Sequence, residues 1–142
     1  MKLSTKGRYG LRAMVDLAVH SETGPVSIQS IANRQDISVS YLEQLVGKMR
    51  RAGLVTSVRG ATGGYRLAKS PSEISVGDVL RALEGTLDAV DCPGNLEVST
   101  CKASQKCVTK YVWKKIKESI SQAVDTIMIE QLVQESKKVN GL

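Results

Sequence analysis

The stretch of sequence from Ser38 to Tyr65, SVSYLEQLVGKMRRAGLVTSVRGATGGY, predicts a helix followed by a β-hairpin. Its first half carries apolar residues at three- and four-residue steps, the spacing of one buried helical face: Leu42, Leu45, Val46 and Met49. Gly53 is placed to end this helix. Two strands then follow, over 54–58 and 65–68, and a glycine-rich tip lies between them.

Two more helices are predicted before this stretch. The first spans Lys6–His20, where the apolar residues again keep a helical spacing: Leu11, Met14, Val15, Ala18 and Val19. Ser27 can cap a short second helix, and Asp36 and Ser38 lie where a tight turn would fall. Three helices and a hairpin in this order form a winged helix-turn-helix domain, which we assign to residues 1–70.

Residues 71–142 carry different patterns. Ser75 can cap a connecting helix within 71–91, and residues 92–107, here called the cysteine segment, have no clear period. From 108 to 142 an apolar stripe of about six turns predicts a long helix with a frayed tail. Because a lone helix cannot bury such a stripe, we expect a homodimer held by this dimerisation helix. The predicted fold is thus mostly α with a small β-hairpin wing.

Charge is divided unevenly along the chain. Residues 1–70 hold 11 basic and 4 acidic side chains, a net charge of +7, whereas residues 71–142 hold 9 and 10, a net charge of −1. The positive half favours a polyanion such as double-stranded DNA as its partner. No segment approaches the roughly 18 apolar residues of a membrane span, and the N-terminus lacks a signal-peptide pattern. We therefore expect a cytoplasmic protein with no membrane partner.

The third helix carries the predicted DNA-reading residues, because the N-terminal part of this helix enters the major groove in a helix-turn-helix: Ser38, Ser40, Tyr41, Glu43 and Gln44. Gln44 is suited to adenine. Glu43 can accept from a cytosine amino group or complete a capping box with Ser40. Lys48 follows on the same helix, with Arg50 and Arg51, as a candidate phosphate contact or a solvated side chain.

The tip of the hairpin carries Arg59 among glycines, whose missing side chains would let the backbone approach a narrow groove. We therefore expect Arg59 to enter the minor groove, as the arginine of a wing does. The alternative is a glycine-rich turn with an incidental arginine. Lys6 and Tyr9, at the start of the first helix, are candidate contacts to the DNA backbone.

Three motifs together resemble the Rrf-type family of transcription regulators, and within it the regulators that sense iron-sulfur clusters: Leu3-Ser4-Thr5-Lys6-Gly7-Arg8-Tyr9, Ser38-Val39-Ser40-Tyr41-Leu42-Glu43-Gln44-Leu45, and Val58-Arg59-Gly60 with Gly63-Gly64-Tyr65. The likeness covers nearly the whole chain. It implies a homodimer that reads a palindromic operator and controls cluster-biogenesis genes, with cluster-assembly proteins as candidate partners. It also implies that Ser40, Glu43 and Gln44 read the major groove, and that Arg59 with Gly60 reads the minor groove.

The same resemblance implies that Cys92, Cys101 and Cys107 bind a 2Fe-2S cluster. Three cysteines cannot all pair within one chain, and a reducing compartment argues against disulfides. The chain departs from the family because eight residues, not five, separate the first two cysteines, and Lys110 stands where the family has a histidine. Some relatives supply a carboxylate from the partner's first helix, but Arg8 occupies that position here.

The fourth cluster ligand is therefore left open by the sequence. The candidates are Asp88, Asp91, Glu97, Glu118, a backbone or hydroxyl group, and an external thiol. His20 is the only histidine, and we interpret it as a surface residue at the end of the first helix. Lysines near the cysteines would lower thiol pKa values and offset the charge of a cluster: Lys102, Lys106 and Lys110.

Three other uses of the cysteines compete with the cluster. A thiol-switch repressor of the same fold would oxidise a cysteine or bind a partner enzyme through it. A zinc-stabilised module would add one more ligand to the three thiolates. An enzyme with a cysteine nucleophile would need a base, and His20 lies in the DNA-binding domain, so we do not expect an enzyme.

Overall fold

The computed structural model describes residues 3–88 and 106–141. In chain order, these residues form α1 (Thr5–His20), α2 (Ile28–Gln35), α3 (Val39–Arg51), β1 (Val55–Val58), β2 (Gly64–Leu67), a short 3-10 turn (Pro71–Glu73), α4 (Val76–Glu84), α5 (Lys110–Thr126) and α6 (Ile129–Val139). Three helices and an antiparallel hairpin lead the chain, as the sequence predicts. Within the described ranges no helix is both long enough and apolar enough to cross a membrane.

The turn between α2 and α3 sets where the third helix begins. Ser27 caps α2 as predicted, and Asp36 ends it in the left-handed conformation, with φ 53°. Ser38 then has the extended backbone of a capping residue, and its hydroxyl accepts from the Tyr41 N–H at 3.2 Å. The predicted capping box between Ser40 and Glu43 is wrong, because Ser40 already lies in the first turn of α3.

The wing is tied to the helical part of the domain. Strand β1 pairs antiparallel with β2, from Val55 opposite Leu67 to Val58 opposite Gly64. Val26, just before α2, pairs with Tyr65 of β2 as an isolated antiparallel β-bridge, in which the two residues exchange N–H···O bonds of 2.8 Å. A Cβ on Gly64 would collide with the Val26 carbonyl, so only glycine allows this close approach.

A single apolar core joins the first four helices, the hairpin and α6. Its largest fully buried side chains are aliphatic or methionine, as expected for a chain without phenylalanine: Met14, Leu17, Ile31, Leu42, Leu45, Met49, Ile74, Leu83 and Ile129. The N-terminal end of α1 is anchored to α4, because Glu84 Oε1 accepts from the Ser4 and Gly7 N–H groups at 3.0 Å. That anchor fixes the predicted contacts at the start of α1 relative to the core.

The C-terminal half differs from the single long helix and frayed tail that the sequence predicts. Helix α5 ends at Thr126, and the next residues run extended beside the start of α4. The Val76 N–H donates to the Ile127 carbonyl, and the Ile129 N–H donates to the Ile74 carbonyl, both at 2.8 Å. These bonds satisfy buried backbone groups and allow a separate helix, α6, to follow. Of the tail residues, Lys137, Lys138 and Val139 belong to α6, and Lys137 Nζ lies 2.6 Å from Glu22 Oε1.

Candidate nucleic-acid interface

Helix α3 divides its residues between the core and an open face. Its apolar stripe is buried, and Ser38 at its cap and a row of polar residues along it are exposed: Ser40, Glu43, Gln44 and Arg51. Ser40, Gln44 and Arg51 lie four and seven residues apart, so they follow one line along the helix. Four of the five predicted reading residues are therefore brought together on one accessible surface at the N-terminal half of α3, whereas Tyr41 is half-buried.

Glu43 lies at the edge of this face, exposed. Because Ser38 and not Ser40 caps α3, no capping box engages the Glu43 carboxylate. The capping interpretation of Glu43 is thus removed, and its role in base reading stays a prediction. Lys48, by contrast, is half-buried one turn beyond Gln44.

Arg51, which the sequence offers as a phosphate contact or a solvated side chain, is exposed at the end of α3. A Cβ built on Gly47 would lie 3.5 Å from the Arg51 Nη1, so the guanidinium extends back along the helix over the glycine. This direction points it from the C-terminal end of α3 towards Gln44. In the sequence, the spacing of residues 40, 44, 47 and 51 already indicates that Arg51 lies on the same side of α3 as Ser40 and Gln44.

Tyr41 and Tyr9 are half-buried and pack against each other. Their ring centroids are 6.3 Å apart and the rings are perpendicular, an edge-to-face contact. The Tyr41 hydroxyl is 3.2 Å from Thr5 Oγ1, which ties the first turn of α3 to the first turn of α1. Contacts of Lys6 and Tyr9 with DNA stay predictions. Lys6 is exposed at the same end of α1.

The wing tip is exposed at Arg59 and Gly60. Its turn is closed by the Gly63 N–H, which donates to the Gly60 carbonyl at 3.0 Å. Gly60 has φ 113°, a conformation that favours glycine. The tip can therefore present the Arg59 side chain beside a bare stretch of backbone.

The cysteine segment is described only at its end. Four of the predicted ligands and ligand candidates lie outside the described residues: Asp91, Cys92, Glu97 and Cys101. Cys107 is half-buried, and its Sγ is 3.0 Å from Thr109 Oγ1. The Thr109 hydroxyl, followed by the backbone N–H of Lys110, lowers the pKa of the Cys107 thiol, which favours the thiolate form.

The described candidates for the fourth ligand have other surroundings. Asp88 lies 3.3 Å from Lys117 Nζ, while Glu118 is exposed on α5. His20 donates from Nδ1 to the main-chain carbonyl of Asp16 at 2.9 Å, in the N-terminal part of the fold. Among the residues that the structure describes, no three carboxylate, histidine or cysteine groups come together as a metal site.

Known proteins similar to this chain are transcription regulators. The profile of the Rrf2 family, described as iron-dependent transcriptional regulators, matches residues 3–135. The HTH-type transcriptional regulator IscR of Aliivibrio salmonicida (strain LFI1238) is 46% identical over 133 residues, which are 94% of this chain and 77% of that protein.

Two solved structures share both fold and sequence. The structure of T. potens IscR matches with a TM-score of 0.78 and 46% identity, covering 98% of this chain and 90% of that one. The structure of CymR (YrzC), the global cysteine regulator of B. subtilis, matches with a TM-score of 0.77 and 40% identity, covering 95% and 98%. The winged-helix architecture is thus shared over nearly the full length of both chains.

Proposed function

The chain belongs to the Rrf2 family of iron-dependent transcriptional regulators, and we propose that it is a homodimer that senses iron-sulfur cluster status. It is a DNA-binding transcription regulator and not an enzyme, as the names of its relatives indicate. The observation that carries the DNA-binding part of this proposal is the exposed polar face of α3 beside a glycine-rich wing, in the half of the chain with a net charge of +7.

The proposed reading mode uses both grooves of an operator. Helix α3 enters the major groove, where Ser40, Glu43 and Gln44 contact base edges. The wing places Arg59, with Gly60, in the adjacent minor groove. Lys6 and Lys48 neutralise phosphates and supply affinity without sequence preference.

The homodimer is supported by the surface of α5. No residue of this helix is buried in the described chain, although the helix is amphipathic. Two large apolar side chains in its first turn, Tyr111 and Val112, are exposed, as is Val108 just before the helix. A second copy related by a two-fold axis would cover them and would present two copies of α3 to a palindromic operator.

The proposed sensor is a 2Fe-2S cluster held by Cys92, Cys101 and Cys107. Thiolates are the ligands that such clusters prefer, and the lowered pKa of Cys107 suits that role. The cluster would supply a redox-active and labile group whose presence reports cluster supply. The fourth ligand is not assigned. The genes under control would be those of cluster biogenesis, and cluster-assembly proteins would deliver the group.

A second candidate is a cluster-free regulator of the same fold that senses thiols. It is favoured by the B. subtilis relative, a global cysteine regulator, of which this chain covers 98%. The half-buried Cys107 thiol, with its lowered pKa, would then be the reactive group. Both candidates share the DNA interface and differ only in what the cysteines do.

The DNA interface is tested with Arg59→Ala, and Arg66→Ala on β2 is the matched control. Both arginines are exposed on the hairpin, so each variant removes one positive charge from it. We expect Arg59→Ala to weaken operator binding by about tenfold, with loss of preference at the minor-groove positions. Binding is measured by fluorescence anisotropy on operator and scrambled duplexes. Equal losses in both variants would contradict a specific role of the wing arginine.

The sensor is tested on protein purified without oxygen. Iron, acid-labile sulfide and zinc are assayed against protein, and the visible and paramagnetic-resonance spectra are recorded. Matched iron and sulfide that disappear when all three cysteines become alanine would support the cluster. A protein that stays colourless after reconstitution favours the thiol regulator, and one zinc per chain would favour the structural zinc site.

A further inference from the structure

Arg12 caps the end of α2 from a neighbouring helix. Its Nε donates to Gln35 Oε1 at 3.2 Å, and its Nη2 donates to the Gln35 main-chain carbonyl at 2.9 Å. Gln35 is the last residue of α2, and carbonyls in the last turn of a helix lack a partner within the helix. A cation at this place also interacts favourably with the negative end of the helix dipole.

The Gln35 side chain is held from its other end as well. Its Nε2 donates to Asp16 Oδ2 at 2.9 Å. Arg34 donates hydrogen bonds of 2.7 and 2.9 Å to the same carboxylate. The Asp16 side chain is only 2% exposed, so this network is shielded from water on the α1 side. The hydrogen bonds to Asp16 raise the pKa of Arg34, which stays charged. The end of α2 is therefore fastened to α1 by two arginines.

Arg12 also reaches the beginning of the recognition helix α3. Its guanidinium carbon lies 5.3 Å from the centroid of the Tyr9 ring, a cation–π distance. Tyr9 in turn meets Tyr41 edge to face, and Tyr41 lies in the first turn of α3. Arg12 thus contacts Gln35, the last residue of α2, directly, and it reaches the first helical turn of α3 through the Tyr9 ring.

We propose that Arg12 is a positioning residue, which holds α2 and α3 in the pose that reads DNA without contacting DNA itself. Arg12 lines a groove of about 780 Å³ between α1 and α6, which includes Leu132, rather than the exposed face of α3. Recognition needs side chains placed to within about half an ångström, so fixing both ends of the turn affects base contacts directly. This inference rests on the proposed DNA-binding function.

The test compares Arg12→Ala and Arg12→Lys with Arg8→Ala. Arg8 carries the same charge one turn earlier and lines the same groove, so its variant controls for lost charge. We expect Arg12→Ala to weaken operator binding by about tenfold, because two charge-assisted hydrogen bonds are lost. Arg12→Lys should not restore binding, since a single ammonium cannot reproduce the fork of the guanidinium.

The salt dependence separates positioning from phosphate contact. A phosphate contact contributes a slope of about 0.9 in log affinity against log salt, so its removal lowers the slope by that amount. For Arg12→Ala we expect a changed affinity with an unchanged slope. A salt slope lowered by about 0.9, the contribution of one phosphate contact, would overturn the proposal, and so would an unchanged affinity.

A second readout does not depend on DNA. In the free protein, amide hydrogen exchange over residues 38–42 should accelerate in Arg12→Ala and stay unchanged in Arg8→Ala, with both proteins still unfolding cooperatively. Arg12→Lys serves if the alanine variant does not fold. Failure of wild-type protein to bind any operator would remove the proposed function, while unchanged exchange in the Arg12 variants would remove the positioning role alone.

Discussion

Helices α5 and α6 follow each other in the chain and are both amphipathic, yet they use their apolar faces differently. Helix α6 buries Ile129 completely and Val133 to within 4% exposure, and both join the core of the DNA-binding part. Helix α5 buries no residue, and Val112 on its apolar stripe is 49% exposed. The comparison teaches that α6 completes the folded core, whereas α5 leaves part of its apolar surface uncovered by the described chain, at Tyr111 and Val112.

Helix α5 contacts its own chain through the half-buried Val124, which packs against the core, and through a polar contact with α4. Arg81 on α4 forms two bonds with Asp125, at 2.6 and 3.1 Å. A Cβ on Gly77 would collide with the Asp125 carboxylate, so a glycine on α4 allows this approach. The N-terminal part of the α5 stripe, with the exposed Val112, is thus left for another partner, which we propose is a second copy.

The largest change in stability is expected on α6, whose apolar face is buried in the core. Ile129→Ala removes a fully buried side chain and should lower the free energy of unfolding by about 3 kcal/mol. Val139→Ala, on the same helix but 82% exposed, is the control and should change it by less than about 0.5 kcal/mol. Urea unfolding followed by circular dichroism measures both. Similar values for the two variants would contradict the assignment of α6 to the core.

A smaller change in free energy, that of dimer dissociation, is expected from a substitution on α5. Val112→Glu places a charge in the proposed dimer surface and should raise the dimer dissociation constant by about a hundredfold, or about 2.8 kcal/mol. Lys114→Glu changes more charge at an exposed site off the apolar stripe, and it should leave the dimer intact. Sedimentation velocity over a concentration series measures the association state. A Val112→Glu protein that stays dimeric would place the interface elsewhere.

The smallest change in stability is expected at the ion pair between Arg81 on α4 and Asp125 on α5. Arg81 lowers the pKa of Asp125, chiefly by hydrogen bonding, but both side chains are more than a third exposed. Asp125→Asn should therefore cost less than about 1 kcal/mol at pH 7. Because the folded pKa is lowered, this stabilisation is present above the unfolded value of about 3.9 and is lost as the pH falls through the folded pKa.

Thermal unfolding of wild type and Asp125→Asn at pH 7 and near pH 3 checks this dependence. The difference in free energy of unfolding should be present at the higher pH and shrink at the lower one. A difference that persists with acid would mean that the carboxylate contributes by packing and not by its charge.

Local signals predicted the caps unevenly. Ser75 was predicted to cap the connecting helix, and it does, in a capping box with Asp78. For the recognition helix, Ser38 and Ser40 offer the same chemistry two residues apart, and the sequence pattern favoured the wrong one. The left-handed Asp36 decides between them, because it fixes where the chain leaves the turn.

The candidate site was likewise predicted in part. The exposed residues of α3 and the wing were found from motif and spacing, since both depend on residues close together in the chain. Arg12 was missed, because its role arises from contacts with Gln35 and Tyr9 on either side of it in space. Its only local signal is its place one turn after Tyr9 on an amphipathic helix.

The sequence by itself determined the order of three helices and a hairpin, the polar face of α3 and the positive charge of the N-terminal half. These features follow from periodicity, capping residues and composition, all of which are local. Only the tertiary structure decided where the C-terminal stripe breaks and which part enters the core. That break depends on hydrogen bonds between Ile74–Val76 and Ile127–Ile129, which lie far apart in the chain, so no local pattern encodes it.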